Sequence, residues 1–145
     1  MSYNIEQINS GFVSLTSGAL ALGTNTGTFK TTVAVTYTNN GIFRSKAITD
    51  NLAFSAGHTA LGNSQACLFG LFLDNSGNVT TSQGMIVAAG DPCPVPNAPA
   101  SNLTPFGLIK VSTSSSQTFT PGTSVLGTGN TAAYINIASM PGSAQ

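Results

Sequence analysis

Apolar and polar positions alternate with a period of two along much of this chain. The longest such run is 29–38. Phe29, Thr31, Val33, Val35 and Tyr37 fall on one face, and Lys30, Thr32, Ala34, Thr36 and Thr38 on the other. That period predicts a single strand with one core face and one wetter face. Asn39-Asn40-Gly41 follows, and Asn-Gly supplies the positive φ angles of a tight hairpin turn. Ile42 to Thr49 is then the return strand. Its Arg44 and Lys46 share a face, which predicts a sheet edge protected by charge.

Cys67-Leu68-Phe69-Gly70-Leu71-Phe72-Leu73 is apolar on both faces. Such a run fits a strand covered on both sides by its own chain, or one whose second face meets another subunit. The turn cluster 74–78 and a return over Val79 to Ala88 complete a second hairpin. Residues 90–99 hold Pro92, Pro94, Pro96 and Pro99. Each lacks an N–H and pushes its predecessor towards extended geometry, so 90–105 should form a stiff surface arm. Strands are further expected over 106–111, 117–120 and 132–138. Two short ones, 12–15 and 19–22, are split by Thr16-Ser17-Gly18. Helical spacing is scarce. The sum is an all-β, jelly-roll-like β-sandwich of about eight antiparallel strands in one domain spanning 1–145. Gly-Thr pairs recur, but at irregular separations, which excludes a solenoid.

Composition narrows the function. The chain has 145 residues and 14.6 kDa, a size for one domain. Four basic and four acidic side chains give a net charge of zero, and charged residues make up 6%, where about 25% is ordinary. Hydrophobic residues reach 41%, too many for a disordered tail. Without clustered Lys and Arg, nucleic acid is not an expected partner. The first residues lack a basic and then apolar leader pattern, and no apolar run could span a bilayer. A reducing compartment is therefore expected, with Cys67 and Cys93 as thiols rather than a disulfide.

Candidate chemistry is sparse. His58 is the lone histidine, with no carboxylate close in sequence, and reads as a hydrogen-bonded loop residue. A Cys–His nucleophile would need Cys67 or Cys93 beside it. Cys67 sits in an apolar strand, and Cys93 has no cation close in sequence to lower its pKa. The carboxylates Glu6, Asp50, Asp74 and Asp91 are scattered. Asp74-Asn75-Ser76-Gly77-Asn78 lacks the spaced acids and closing Glu of an EF-hand, and reads as a hairpin turn. The expectation is a non-enzymatic protein with no cofactor and no metal. Phe29, Phe69 and Phe72 read as core, while Tyr3, Phe43 and Phe54 are left open.

A polar but uncharged surface can be buried against partners with its hydrogen bonds satisfied, and low charge removes repulsion between densely packed copies. It also promotes association. The candidate interface is the two-sided strand (Cys67, Phe69, Leu71, Leu73) and the arm (Pro92, Pro94, Val95, Pro96). The Ser/Thr/Gly-rich style, Ala56-Gly57-His58-Thr59 ahead of an apolar hairpin, and the closing Pro121-Gly122-Thr123 and Met140-Pro141-Gly142 resemble the capsid cement, or decoration, proteins of short-tailed bacteriophages. That resemblance implies a jelly-roll-like protein on the outside of an icosahedral virion, assembled in the host bacterial cytoplasm. It would bridge copies of the major capsid protein as a homo-oligomer, away from membranes. The rival expectation is a head-fibre or tail-fibre module that binds a receptor or glycan.

Overall fold

A computed structural model describes residues 11–138, which form eleven β-strands and no helix. They are β1 (Val13–Ser14), β2 (Leu20–Leu22), β3 (Thr28–Thr31), β4 (Val35–Asn39), β5 (Ile42–Lys46), β6 (Leu52–Ala53), β7 (Gln65–Leu73), β8 (Val79–Gln83), β9 (Val87–Ala88), β10 (Thr104–Thr113) and β11 (Asn130–Asn136). Every pairing is antiparallel. One five-stranded sheet has the order β11-β10-β7-β8, with β9 also paired to β7. Two three-stranded sheets run β1-β4-β5 and β2-β3-β6.

All three sheets feed one core. Leu20, Phe29, Val35 and Tyr37 come from the small sheets, and Cys67, Phe69, Leu71, Leu73, Phe106, Ile109 and Val111 from the large one. At its centre Phe54 lies edge-on to Phe29 (5.4 Å between ring centroids) and Phe69 (5.0 Å). This is the geometry that opposes ring edges to ring faces. Polar side chains buried at one end of the core are also satisfied. Asn39 Nδ2 donates to the Asn102 carbonyl at 2.9 Å, and the Thr104 hydroxyl donates to the Thr38 carbonyl at 2.7 Å.

The expected strand over 29–38 is broken into β3 and β4, and the two halves join different sheets. The alternation survives the break, since Phe29, Thr31, Val35 and Tyr37 are all buried. Only Val33, at the crossing, is turned out, 48% exposed. Two threonine hydroxyls, those of Thr32 and Thr16, hold the crossing. Thr32 Oγ1 donates to the Ala19 carbonyl (2.8 Å), and Thr36 N donates to Thr16 Oγ1 (2.8 Å). Both halves bury the same face of the chain, so a period-two pattern cannot reveal that the sheet changes between them.

Other expectations fare unevenly. Asn40 (φ 53°) and Gly41 (φ 77°) form the tight turn between β4 and β5. β5 is an edge strand carrying Arg44 and Lys46. The return over 79–88 is interrupted, with β8 and β9 each pairing with β7. The expected strand at 117–120 reduces to a single bridge between Leu61 and Phe119. Where the sequence predicts about eight strands, the described residues hold eleven, because sheet changes and interruptions cut long runs into short pieces.

Candidate functional site

The residues that could carry chemistry are each held in a structural role. His58 Nε2 lies 2.7 Å from Thr81 Oγ1, and its ring packs beside the contacting pair Phe54 and Phe69. Burial pushes its pKa below the ordinary value of 6.5, which favours the neutral ring. Cys67 lies wholly in the core, with Gln83 Nε2 3.7 Å from its sulfur. Burial raises the thiol to about 11, opposed by the Gln83 contact. Cys93 is half-buried in the proline arm. Both cysteines are thiols.

Asp74 closes the β7–β8 turn, where its Oδ1 accepts from Ser76 N (2.8 Å) and Asn78 N (2.9 Å). Burial raises this carboxyl, but the bonds from Asn78, Ser76 and Gly77 leave it below the usual carboxylate value. Asp50 is exposed and lowered by its hydrogen bonds from the Thr24 hydroxyl and backbone. No three His, Cys, Asp or Glu side chains gather among the described residues. Glu6 and Tyr3 lie outside those residues.

The segment after β6 has a role that the sequence did not disclose. Residues 55–59 run beside β8 and bond to it through side chains instead of a backbone ladder. Ser55 N donates to Thr81 Oγ1 (2.8 Å), and Thr81 N donates to Ser55 Oγ (2.9 Å). Thr59 N donates to Gln83 Oε1 (2.7 Å), and Gln83 Nε2 donates to the Thr59 carbonyl (2.8 Å). His58 thus belongs to a strap that closes the β8 edge. One Ser and one Thr at the two ends of a short loop carry no distinctive sequence signal for this.

Half of the candidate interface is corrected. Cys67, Phe69, Leu71 and Leu73 point into the core with no exposed surface. They cannot touch a partner while the chain is folded. The other face of β7 holds Leu68, Gly70 and Phe72, and there the proline arm lies across the strand. A Cβ on Gly70 would stand 3.0 Å from Pro96 Cγ, and one on Gly84 2.7 Å from the Pro94 carbonyl oxygen. The second face of the apolar strand therefore receives this chain's own arm. Pro92 and Pro94 are exposed, Pro96 is half-buried, and Val95 is 67% exposed. Met85 follows Gly84 and is 69% exposed, so the crossing of Gly84 by Pro94 brings Met85 and Val95 to one region of the surface. Phe43 and Ile48 are also turned outward.

Two surface clefts stand out among the described residues. One, of about 440 Å³, is lined by Asn40, Asn75, Asn102 and Arg44 with Phe12 and Ile42. Arg44 Nε is buried there with no hydrogen-bond partner among the described residues. The other, of about 430 Å³, lies between the ends of β10 and β11 and is lined by hydroxyl and amide side chains such as Ser112, Gln117 and Asn130. Compared with protein-family models, curated proteins and solved structures, the chain matches none.

Proposed function

We propose that this chain is a non-enzymatic virion structural protein, a cement or decoration protein that binds the outer surface of a phage capsid and bridges major capsid proteins. The reading takes the three antiparallel sheets as a jelly-roll-like β-sandwich. The observation that carries it is the surface. Charged residues are 6% of the chain, yet Phe43, Met85, Ile48 and Val95 stand out with 63% to 72% of their area exposed. A protein meant to stay dispersed uses charge to avoid its neighbours, whereas one meant to be held by them benefits from apolar anchors and neutral, hydrogen-bonding flanks. The docking residues are Pro92, Pro94 and Val95 of the arm with Met85 beside them. The partners are the capsid protein and further copies of the chain.

Burial of neutral surface makes retention insensitive to salt. Washing purified particles in about 1 M NaCl, where the Debye length shrinks to about 3 Å, should leave the protein on the shell. Quantitative mass spectrometry of the particles should find it in fixed proportion to the major capsid protein. Release by salt, or a copy number matching a single vertex or the tail, would overturn the reading.

The cleft at Arg44 favours a second reading, a head-fibre or tail-fibre module that binds a glycan. Amide donors (Asn40, Asn75, Asn102), one guanidinium and two apolar side chains (Phe12, Ile42) are the mixture that a sugar's hydroxyls and ring face require. A glycan-array signal abolished by Arg44→Ala, on a protein present in few copies per particle, would establish this reading in place of the first.

A further inference from the structure

Sheet edges are the place to look for a partner, because an edge offers a row of backbone donors and acceptors to any strand that fits. Most edges here are closed or guarded. β1 and β6 are two residues long. β2 has three residues, and the Asn136 side chain accepts from Leu20 N at 2.9 Å. β5 carries Arg44 and Lys46. β8 is strapped by residues 55–59, with Thr81 N capped by Ser55 Oγ. Over residues 131–135, β11 has none of these devices, and its last residue, Asn136, meets β2. β11 is seven residues long, runs against β10 in unbroken register, and contains no charge, proline or bulge.

The ladder shows which β11 groups face outward. Ile137 N donates to the Phe106 carbonyl (3.2 Å), and the register then pairs Ile135 with Leu108, Ala133 with Lys110 and Thr131 with Ser112. Antiparallel pairs alternate, so those residues turn their N–H and C=O inward to β10, and Ala132 and Tyr134 turn theirs out. Among the described residues, no backbone hydrogen bond meets these outward groups.

We infer that the outer edge of β11 is the seam at which two copies of this chain pair antiparallel, joining their large sheets into one. The inference deepens the self-association in the proposed function and does not need the capsid role. The strand is complementary to itself. A two-fold axis through Ala133 sets Ala132 opposite the second copy's Tyr134, a small side chain beside a large one on the core side. On the outer side, Ala133 meets itself and Thr131 meets Ile135, a pair of β-branched side chains suited to cross-strand packing. This axis places the outward groups of Ala132 and Tyr134 in a hydrogen-bonded pair, twice over. Lys110, paired with Ala133 in the ladder, carries the charge of the adjoining strand. It sits one strand in, so the two lysines stand about three strand spacings, or about 14 Å, apart. That exceeds the Debye length of about 8 Å at physiological ionic strength. Exposed Ile135 gives the seam an apolar outer side.

The test is sedimentation velocity on the purified chain, without particles. The wild type should sediment at twice the mass of one chain. Ala132→Pro removes an outward N–H and leaves the β10 ladder intact, so it should keep the wild-type circular dichroism and sediment as a monomer. Ala133→Lys keeps the backbone but places two cations face to face across the axis. It should weaken pairing at least tenfold at low salt and regain it at high salt, which decides the matter even if the proline variant does not fold. A wild type that is monomeric at about 0.1 mM, where even weak dimers populate, overturns the inference. So does a folded Ala132→Pro, or an Ala133→Lys at low salt, that still pairs like the wild type. A monomer that nevertheless decorates particles overturns this pairing alone and leaves the capsid reading standing.

Discussion

Cys67 sits in the core, and burial pushes its thiol up to about 11. At about pH 8 roughly one molecule in a thousand carries the thiolate that reacts. Alkylation of the native protein should therefore modify Cys93 and leave Cys67 unmodified until the chain is unfolded, which peptide mass spectrometry reads directly. His58 gives the chain a pH response of definite sign. Burial lowers its folded pKa below the unfolded 6.5, so the unfolded chain binds the extra proton first. The stability contributed by the neutral ring is complete above about pH 6.5 and is lost as pH falls through that value towards the lower folded one. The melting temperature should fall between about pH 7.5 and about pH 5.5, and His58→Gln should flatten that fall. Equal slopes for both proteins would mean that the imidazole is not shielded by Phe54 and Phe69. Asn39 is a third case, because it is buried and donates to the Asn102 carbonyl. Asn39→Ala should cost about 0.5–1.5 kcal/mol in urea unfolding, the net worth of that hydrogen bond.

At the scale of elements, the proline arm and two glycines form one device. Gly70 and Gly84 have no Cβ, and this lets Pro96 and Pro94 lie against the β7 and β8 region. Gly84→Val would drive a branched side chain into the Pro94 carbonyl. The arm should lift, with faster protease cleavage within 90–99 and several-fold faster labelling of Cys93. The melting temperature should move by only a few degrees, because the core on the other face of β7 is untouched. Unchanged cleavage and labelling would show that the arm is held elsewhere. These elements also show how far the sequence could be read. Alternation identified the buried face of 29–38 and the two-sided strand at 67–73, because burial follows the pleat wherever the strand lies. It could not reveal that the chain changes sheets at Thr32–Ala34, since both halves bury the same side. It placed Cys67, Phe69, Leu71 and Leu73 at an interface because apolarity on two faces does not say what covers each face. The answer lay some twenty-five residues on, in prolines whose contact with Gly70 is a tertiary fact. The strap at 55–59 was invisible for a related reason. Its bonds are made by Ser, Thr and Gln side chains that are ordinary on any polar loop.

For the whole molecule, scarcity of charge makes each new charge conspicuous. There are four cations and four carboxylates in 145 residues, and the exposed apolar side chains lie on separated elements. Val95 and Met85 are beside the arm crossing, and Phe43 is on the β5 edge strand. Replacing one such residue by an acid should barely alter folding, since an exposed substitution away from caps and strained turns changes stability by about 0.5 kcal/mol or less. Its effect on docking should be much larger, because a carboxylate buried in a neutral contact must lose its water without gaining a cation. Val95→Asp should therefore retain the wild-type melting temperature and lower occupancy on particles at least tenfold in a competition with the wild type. Phe43→Asp, on another element, should leave occupancy unchanged if the arm is the docking face. The opposite pattern would move the docking face to the β5 edge, and full occupancy by both variants would mean that the exposed apolar side chains do not hold the protein to a shell.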